Sequence, residues 1–132
     1  MSYDIRLTDP VTGETLQLDS PHEMRGGTYQ QGGTTECWIN ITYNYGPIYR
    51  RIFKPVCSGH PAKDSDGLLT GIRSIYGMTG AESIPILQRA ADQLGDDTDP
   101  DYWEATEGNA KRPLYQLVAL ARLRPDGIWD GD

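Results

Sequence analysis

The stretch Cys37-Trp38-Ile39-Asn40-Ile41-Thr42-Tyr43-Asn44-Tyr45 decides the fold class. β-Branched and aromatic residues suit a pleated, half-buried surface, and a period of two sends alternate side chains to opposite faces. Cys37, Ile39, Ile41, Tyr43 and Tyr45 therefore share one face, and Trp38, Asn40, Thr42 and Asn44 the other. The first face belongs to a core; the mixed second face meets either solvent or a ligand. Gly46-Pro47 ends or bends the strand.

Upstream, Ile5 and Leu7 alternate toward the turn Asp9-Pro10-Val11-Thr12-Gly13-Glu14, after which Leu16 and Leu18 resume the pattern, as in a β-hairpin. A glycine-rich loop from Arg25 to Gly33 separates it from the strand at Cys37. Downstream, Ile48–Phe53 is an apolar and basic segment of ambiguous period. Residues 54–69, with Pro55, Gly59, Pro61 and Gly67, read as a mobile loop.

Two amphipathic helices follow. Thr79 and Glu82 have capping-box spacing, with Ser83-x-Pro85 as a competing start, and Ile84, Leu87, Ala91 and Leu94 form a buried stripe that Gly95 stops. In the second helix Leu114, Leu117, Val118 and Ala121 recur at helical spacing, and Arg122 and Arg124 suit its negative end before Pro125. Pro113 sets its start near Asn109, because an earlier start would put proline in the interior. Strands first and helices last predict an α+β domain over residues 1–132: an N-terminal hairpin and small antiparallel sheet against two C-terminal helices.

The chain has 132 residues, 19 acids against 12 bases and a net charge of −7. That balance opposes direct binding to nucleic acid or to an anionic membrane. No run approaches membrane-spanning length and the N-terminus lacks a signal-peptide pattern, so the expected location is cytoplasmic. Between Asp92 and Glu107 there are seven acids and no base. This run is either a solvated loop or a face that presents negative charge to a basic partner.

Candidate chemistry is sparse. Cys57-Ser58-Gly59-His60 has metal-like spacing, and Cys37 with His22 would complete a zinc quartet, but a second close pair is missing. A Cys57/His60 thiol pair lacks a recognisable orienting acid or oxyanion hole. Asp97, Asp99 and Asp101 alternate as calcium ligands do, yet Tyr102 stands where an EF-hand requires glycine. No metal or other cofactor is assigned.

Tyr102-Trp103-Glu104-Ala105-Thr106-Glu107-Gly108-Asn109 places two aromatics and two helix-capping residues before the last helix. If they converge with the strand's polar face, Asn40, Thr42, Asn44, Arg73, Tyr102, Trp103, Thr106 and Asn109 would line a polar, aromatic-walled site for a nucleotide-like ligand. The alternative is that Thr106 or Asn109 caps the helix while Tyr102 and Trp103 act as wedges.

The combination of Asn40-Ile41-Thr42-Tyr43-Asn44-Tyr45, Gly71-Ile72-Arg73 to Gly77-Met78-Thr79-Gly80, Tyr102-Trp103 with Thr106, Gly108-Asn109-Ala110 and Arg124-Pro125-Asp126-Gly127-Ile128-Trp129 resembles small proteins carried by bacteriophages and other bacterial mobile elements. The resemblance covers most of the chain beyond Trp38 and brings no assigned activity. It implies a role in phage–host conflict rather than in housekeeping metabolism. The leading expectation is a non-catalytic protein that binds a host macromolecule, a host protein above all, through an acidic and aromatic surface including Asp97, Asp99, Asp101 and Glu104. A small-ligand binder and a small thiol- or metal-dependent enzyme are the alternatives.

Overall fold

The computed structural model describes residues 1–24, 26 and 33–132; the expected glycine-rich loop from Arg25 to Gly33 lies largely outside them. In chain order the elements are β1 (Ser2–Thr8), β2 (Gln17–His22), β3 (Thr34–Glu36), β4 (Trp38–Thr42), α1 (Gly46–Ile52), β5 (Val56–Cys57), β6 (Leu68–Leu69), α2 (Gly80–Asp92), α3 (Glu107–Leu123) and β7 (Ile128–Gly131). The fold is α+β, with N-terminal strands and C-terminal helices.

β1 is the central strand of an antiparallel sheet ordered β4-β1-β7, with Ile5 opposite Ile39 and Leu7 opposite Trp129. Its alternation is strict: Tyr3, Ile5 and Leu7 are buried, whereas Asp4 and Arg6 are exposed. The expected turn forms, with Asp9 N–H donating to the Glu14 carbonyl at 2.8 Å and Asp9 Oδ1 accepting from Val11 and Thr12. The hairpin beyond it stays short. Past the Thr8–Thr15 bridge, β2 leaves β1 and pairs with β3, because β4 and β7 occupy the two edges of β1.

The strand expected over Cys37–Tyr45 stops at Thr42. Thr42 Oγ1 accepts the Asn44 N–H at 3.2 Å and turns Tyr43–Tyr45 into a 3-10 helix. Gly46-Pro47 then opens α1 instead of merely ending a strand, since proline in a first turn gives up an N–H that has no helical acceptor. The ambiguous segment Ile48–Phe53 is thereby mostly helix, with Tyr49 wholly buried and Arg50 and Arg51 in the last turn. Within the expected loop at 54–69, Val56 pairs with Leu69 and Cys57 with Leu68.

α2 begins with the full capping box: Thr79 Oγ1 accepts from Glu82 N–H and Glu82 Oε1 from Thr79 N–H. The start at Ser83 loses to it, which leaves Pro85 inside the helix. α3 begins two residues before Asn109, with Thr106 as its cap, so Pro113 is interior as well. The start is thus close to Asn109, as expected, but Pro113 does not stay out of the interior, because the cap and a close backbone approach outweigh one missing helical bond. Gly108 N–H donates to the Asp97 carbonyl at 2.9 Å, and a Cβ at residue 108 would lie 2.5 Å from that oxygen.

α2 and α3 pack on each other, and one core joins them to the sheet through Ile5, Leu7, Ile39, Ile41, Leu87, Leu114, Leu117 and Trp129. Trp129 is the largest fully buried side chain. Its indole N–H donates to Ser83 Oγ at 2.7 Å, and that hydroxyl donates to the Gly80 carbonyl at 2.8 Å, so β7 is tied to the first turn of α2. Among the described residues no helix is long and apolar enough to cross a membrane.

Candidate functional site

The loop between α2 and α3 is organised by one side chain. Asn109 sits in the first turn of α3 and is 3% exposed. Its Nδ2 lies within donating distance of the carbonyls of Asp99, Asp101 and Glu104, at 3.2, 3.2 and 3.1 Å. Its Oδ1 accepts the Asp99 N–H at 3.2 Å. Two Asx turns extend the wrap, as Asp99 Oδ1 accepts from Asp101 N–H and Asp101 Oδ1 from Trp103 N–H.

The loop is pinned at its flanks. Glu107 Oε1 accepts the Gly95 N–H at 2.8 Å while its other oxygen meets Arg51 at 3.3 Å; these contacts, the backbone bond foremost, hold its carboxyl below the usual range. From the sheet side, Asn44 Nδ2 donates to the Trp103 carbonyl at 2.8 Å and the Tyr45 hydroxyl donates to that of Tyr102. The Tyr102 and Trp103 rings lie 5.3 Å apart, and Trp103 remains 44% exposed. An aromatic ridge results, edged by the exposed carboxylates of Asp97, Asp101 and Glu104 and by the half-buried Asp99.

The other candidate residues have different placements. Asn40 and Thr42 are buried, at 2% and 0% exposure, so at these two positions the strand's polar face meets protein. Asn40 donates to Ser2 Oγ at 2.7 Å and to Asp4 Oδ1, and Thr42 caps the turn after β4. Arg73 stacks on Tyr3 and Tyr43, donates through Nε to the Asp132 carbonyl at 2.7 Å, and reaches the Tyr43 hydroxyl at 3.4 Å. The structure thus joins Asn44 to Trp103 and Thr106 to Asn109. None of the four principal cavities among the described residues is lined by the eight residues proposed for a ligand.

No family model, curated protein or solved structure matches this chain. Its chemistry therefore has to be read from its own groups.

Sequence spacing set His60 beside Cys57, but tertiary structure sends it to Asp130, where Nε2 approaches Oδ1 at 2.6 Å. His60 Nδ1 accepts the Ala62 N–H at 3.0 Å, which fixes the neutral ring with its proton on Nε2. Arg6 binds the other Asp130 oxygen at 3.2 Å. Burial alone would raise the Asp130 carboxyl, but bonds from His60, the Gly131 amide and Arg6 bring it below the usual range. His22 is engaged likewise, by Met24 N–H and the Glu36 carbonyl. Cys37 is buried and Cys57 exposed; among the described residues no three His, Cys, Asp or Glu side chains form a metal-holding group.

Four phenols lie inside the molecule and give it a distinct pH response. Burial raises Tyr3 and Tyr76, pushes Tyr45 up to about 12, and lifts Tyr49 well above its usual value; it also pushes the Cys37 thiol up to about 11. An acid with a raised folded pKa stays neutral in the native state while the unfolded chain ionises. Its contribution is complete below the unfolded values of 9.0 for cysteine and 10.0 for tyrosine and is lost as pH climbs beyond them. The expected result is cooperative alkaline unfolding, with tyrosinate absorbance from these side chains appearing together with loss of far-UV ellipticity. Full ionisation of all tyrosines before any loss of ellipticity would contradict the burial described.

Proposed function

We propose that this protein is a non-catalytic binding protein that engages a basic host protein through the ridge of Tyr102, Trp103, Asp101 and Glu104. The observation that carries the reading is an exposed tryptophan fixed in place beside carboxylates that have no ion-pair partner among the described residues. Exposed aromatics held in one conformation lose little entropy on binding and serve as anchors. Acidic neighbours attract and orient a partner bearing lysine or arginine. Asn109, Asn44 and Tyr45 supply the rigidity. The resemblance to proteins of phages and mobile elements directs the search to a bacterial host.

Capture from a bacterial lysate by immobilised protein, at low and high salt, tests the reading. A specific basic partner is expected, with recovery falling at high salt because exposed charges are screened. Trp103→Ala should weaken that complex by about thirtyfold, the effect of losing one aromatic anchor, without shifting the melting temperature. Asp101→Asn with Glu104→Gln should lower the association rate while keeping the Asx turn. Salt-insensitive recovery, or undiminished binding by Trp103→Ala, would refute the assignment.

A further inference from the structure

A half-enclosed cavity of about 390 Å³ lies between the end of α1, β5, the 3-10 turn Gly71–Ile75 and α2. Its walls are apolar: Ile52, Phe53, Val56, Met78 and Ile86. This volume falls in the range of small-molecule sites.

Four polar residues interrupt that lining: Ser74, Lys54, Arg89 and Gln93, whose side-chain amide donates to the Arg89 carbonyl at 3.3 Å. Ser74 is 3% exposed and lines the cavity; its hydroxyl is not among the side-chain atoms sealed from solvent without a partner, so it is open to the cavity's contents. Where Ser83 spends its hydroxyl on Gly80 and Trp129, Ser74 leaves its own available to an oxygen of whatever enters the cavity. Lys54 and Arg89 also line the cavity, are exposed, and form no ion pair among the described residues. Cations left unpaired in a chain of net charge −7 make this a positive mouth on a negative molecule. An apolar chamber lined also by two exposed cations and a serine hydroxyl is complementary to an amphiphilic anion, and opposed to a cation or a bulky polar solute.

We propose that this cavity binds a small apolar carboxylate, its charge held by Lys54 and Arg89 and an oxygen at its far end bonded to the Ser74 hydroxyl. The site is separate from the aromatic ridge, so the two assignments stand or fall independently. It binds and does not react: no nucleophile with a partnered base lines it.

Calorimetric titration with 3-(4-hydroxyphenyl)propionate is the test, with 3-phenylpropionate and the neutral propionamide as comparators and methyl shifts of Val56 and Ile86 reporting the location. Saturable binding that shifts those methyls is expected. The amide, and the Lys54→Gln/Arg89→Gln protein, should bind about tenfold more weakly through loss of the charged contact. Removing the ring oxygen should weaken binding to the unaltered protein but not to Ser74→Ala. The substitutions at Lys54 and Arg89 alter exposed side chains only, so folding is preserved and checked by unchanged melting. No saturable binding, equal binding of acid and amide, or an acidic apolar peptide occupying the groove in place of the carboxylate would each overturn the proposal.

Discussion

Trp129→Ala is expected to destabilise the protein by about 4 kcal/mol, the cost of emptying a large aromatic site from a packed core. Trp129 has no exposed surface, stands opposite Leu7 in the sheet, and carries the bond to Ser83 that ties β7 to α2. Folded domains keep only about 5–15 kcal/mol in total, so the variant should be largely unfolded at physiological temperature or melt far below the parent. Trp129→Phe separates the two contributions. It keeps most of the volume and loses the indole donor, for an expected cost of about 1–2 kcal/mol. Urea unfolding followed by far-UV ellipticity measures both. A mild effect of alanine would mean that β7 is not part of the cooperative core.

The second large effect belongs to Asn109→Ala, expected to cost about 3 kcal/mol because carbonyls and an amide of the loop lose their only side-chain partner among the described residues. Thr106→Ala removes one helix-capping acceptor and should cost about 1 kcal/mol. The contrast is the point of the pair. Asn109 does more than cap: it closes the loop that presents Tyr102 and Trp103, so its loss should also speed amide exchange at Asp99, Asp101 and Trp103 and weaken partner capture. Equal costs for the two variants, with exchange unchanged, would reduce Asn109 to an ordinary first-turn residue.

The helices are legible in the sequence because their signals are local. Thr79 and Glu82 satisfy each other within one turn, and the stripe from Leu114 to Ala121 needs only helical periodicity. The start of α3 is legible only to within two residues, because Pro113 is a local objection to a helical interior that a distant contact, the Asp97 carbonyl on Gly108, helps to overrule. α1 was unreadable for a related reason: seven residues hold too little periodicity to separate helix from strand, and burial of Tyr49 decides between them. Asn109 was legible as important but not as a staple, since its partners are carbonyls that any residue could provide. The groove at Ser74 had no sequence signal at all, because its lining comes from separate segments.

By itself the sequence determined the α+β class, the strand alternation of β1, the turn at Asp9–Glu14, the capping box at Thr79 and the negative charge; each depends on residues near one another along the chain, or on composition. Tertiary structure alone decided that β7 completes the sheet, that β2 leaves β1 for β3, that Asn40 and Thr42 face protein, and that His60 binds Asp130 rather than neighbouring Cys57. Those outcomes depend on which surfaces remain to be covered once the core closes, a quantity set by packing across the whole chain and written in no single segment.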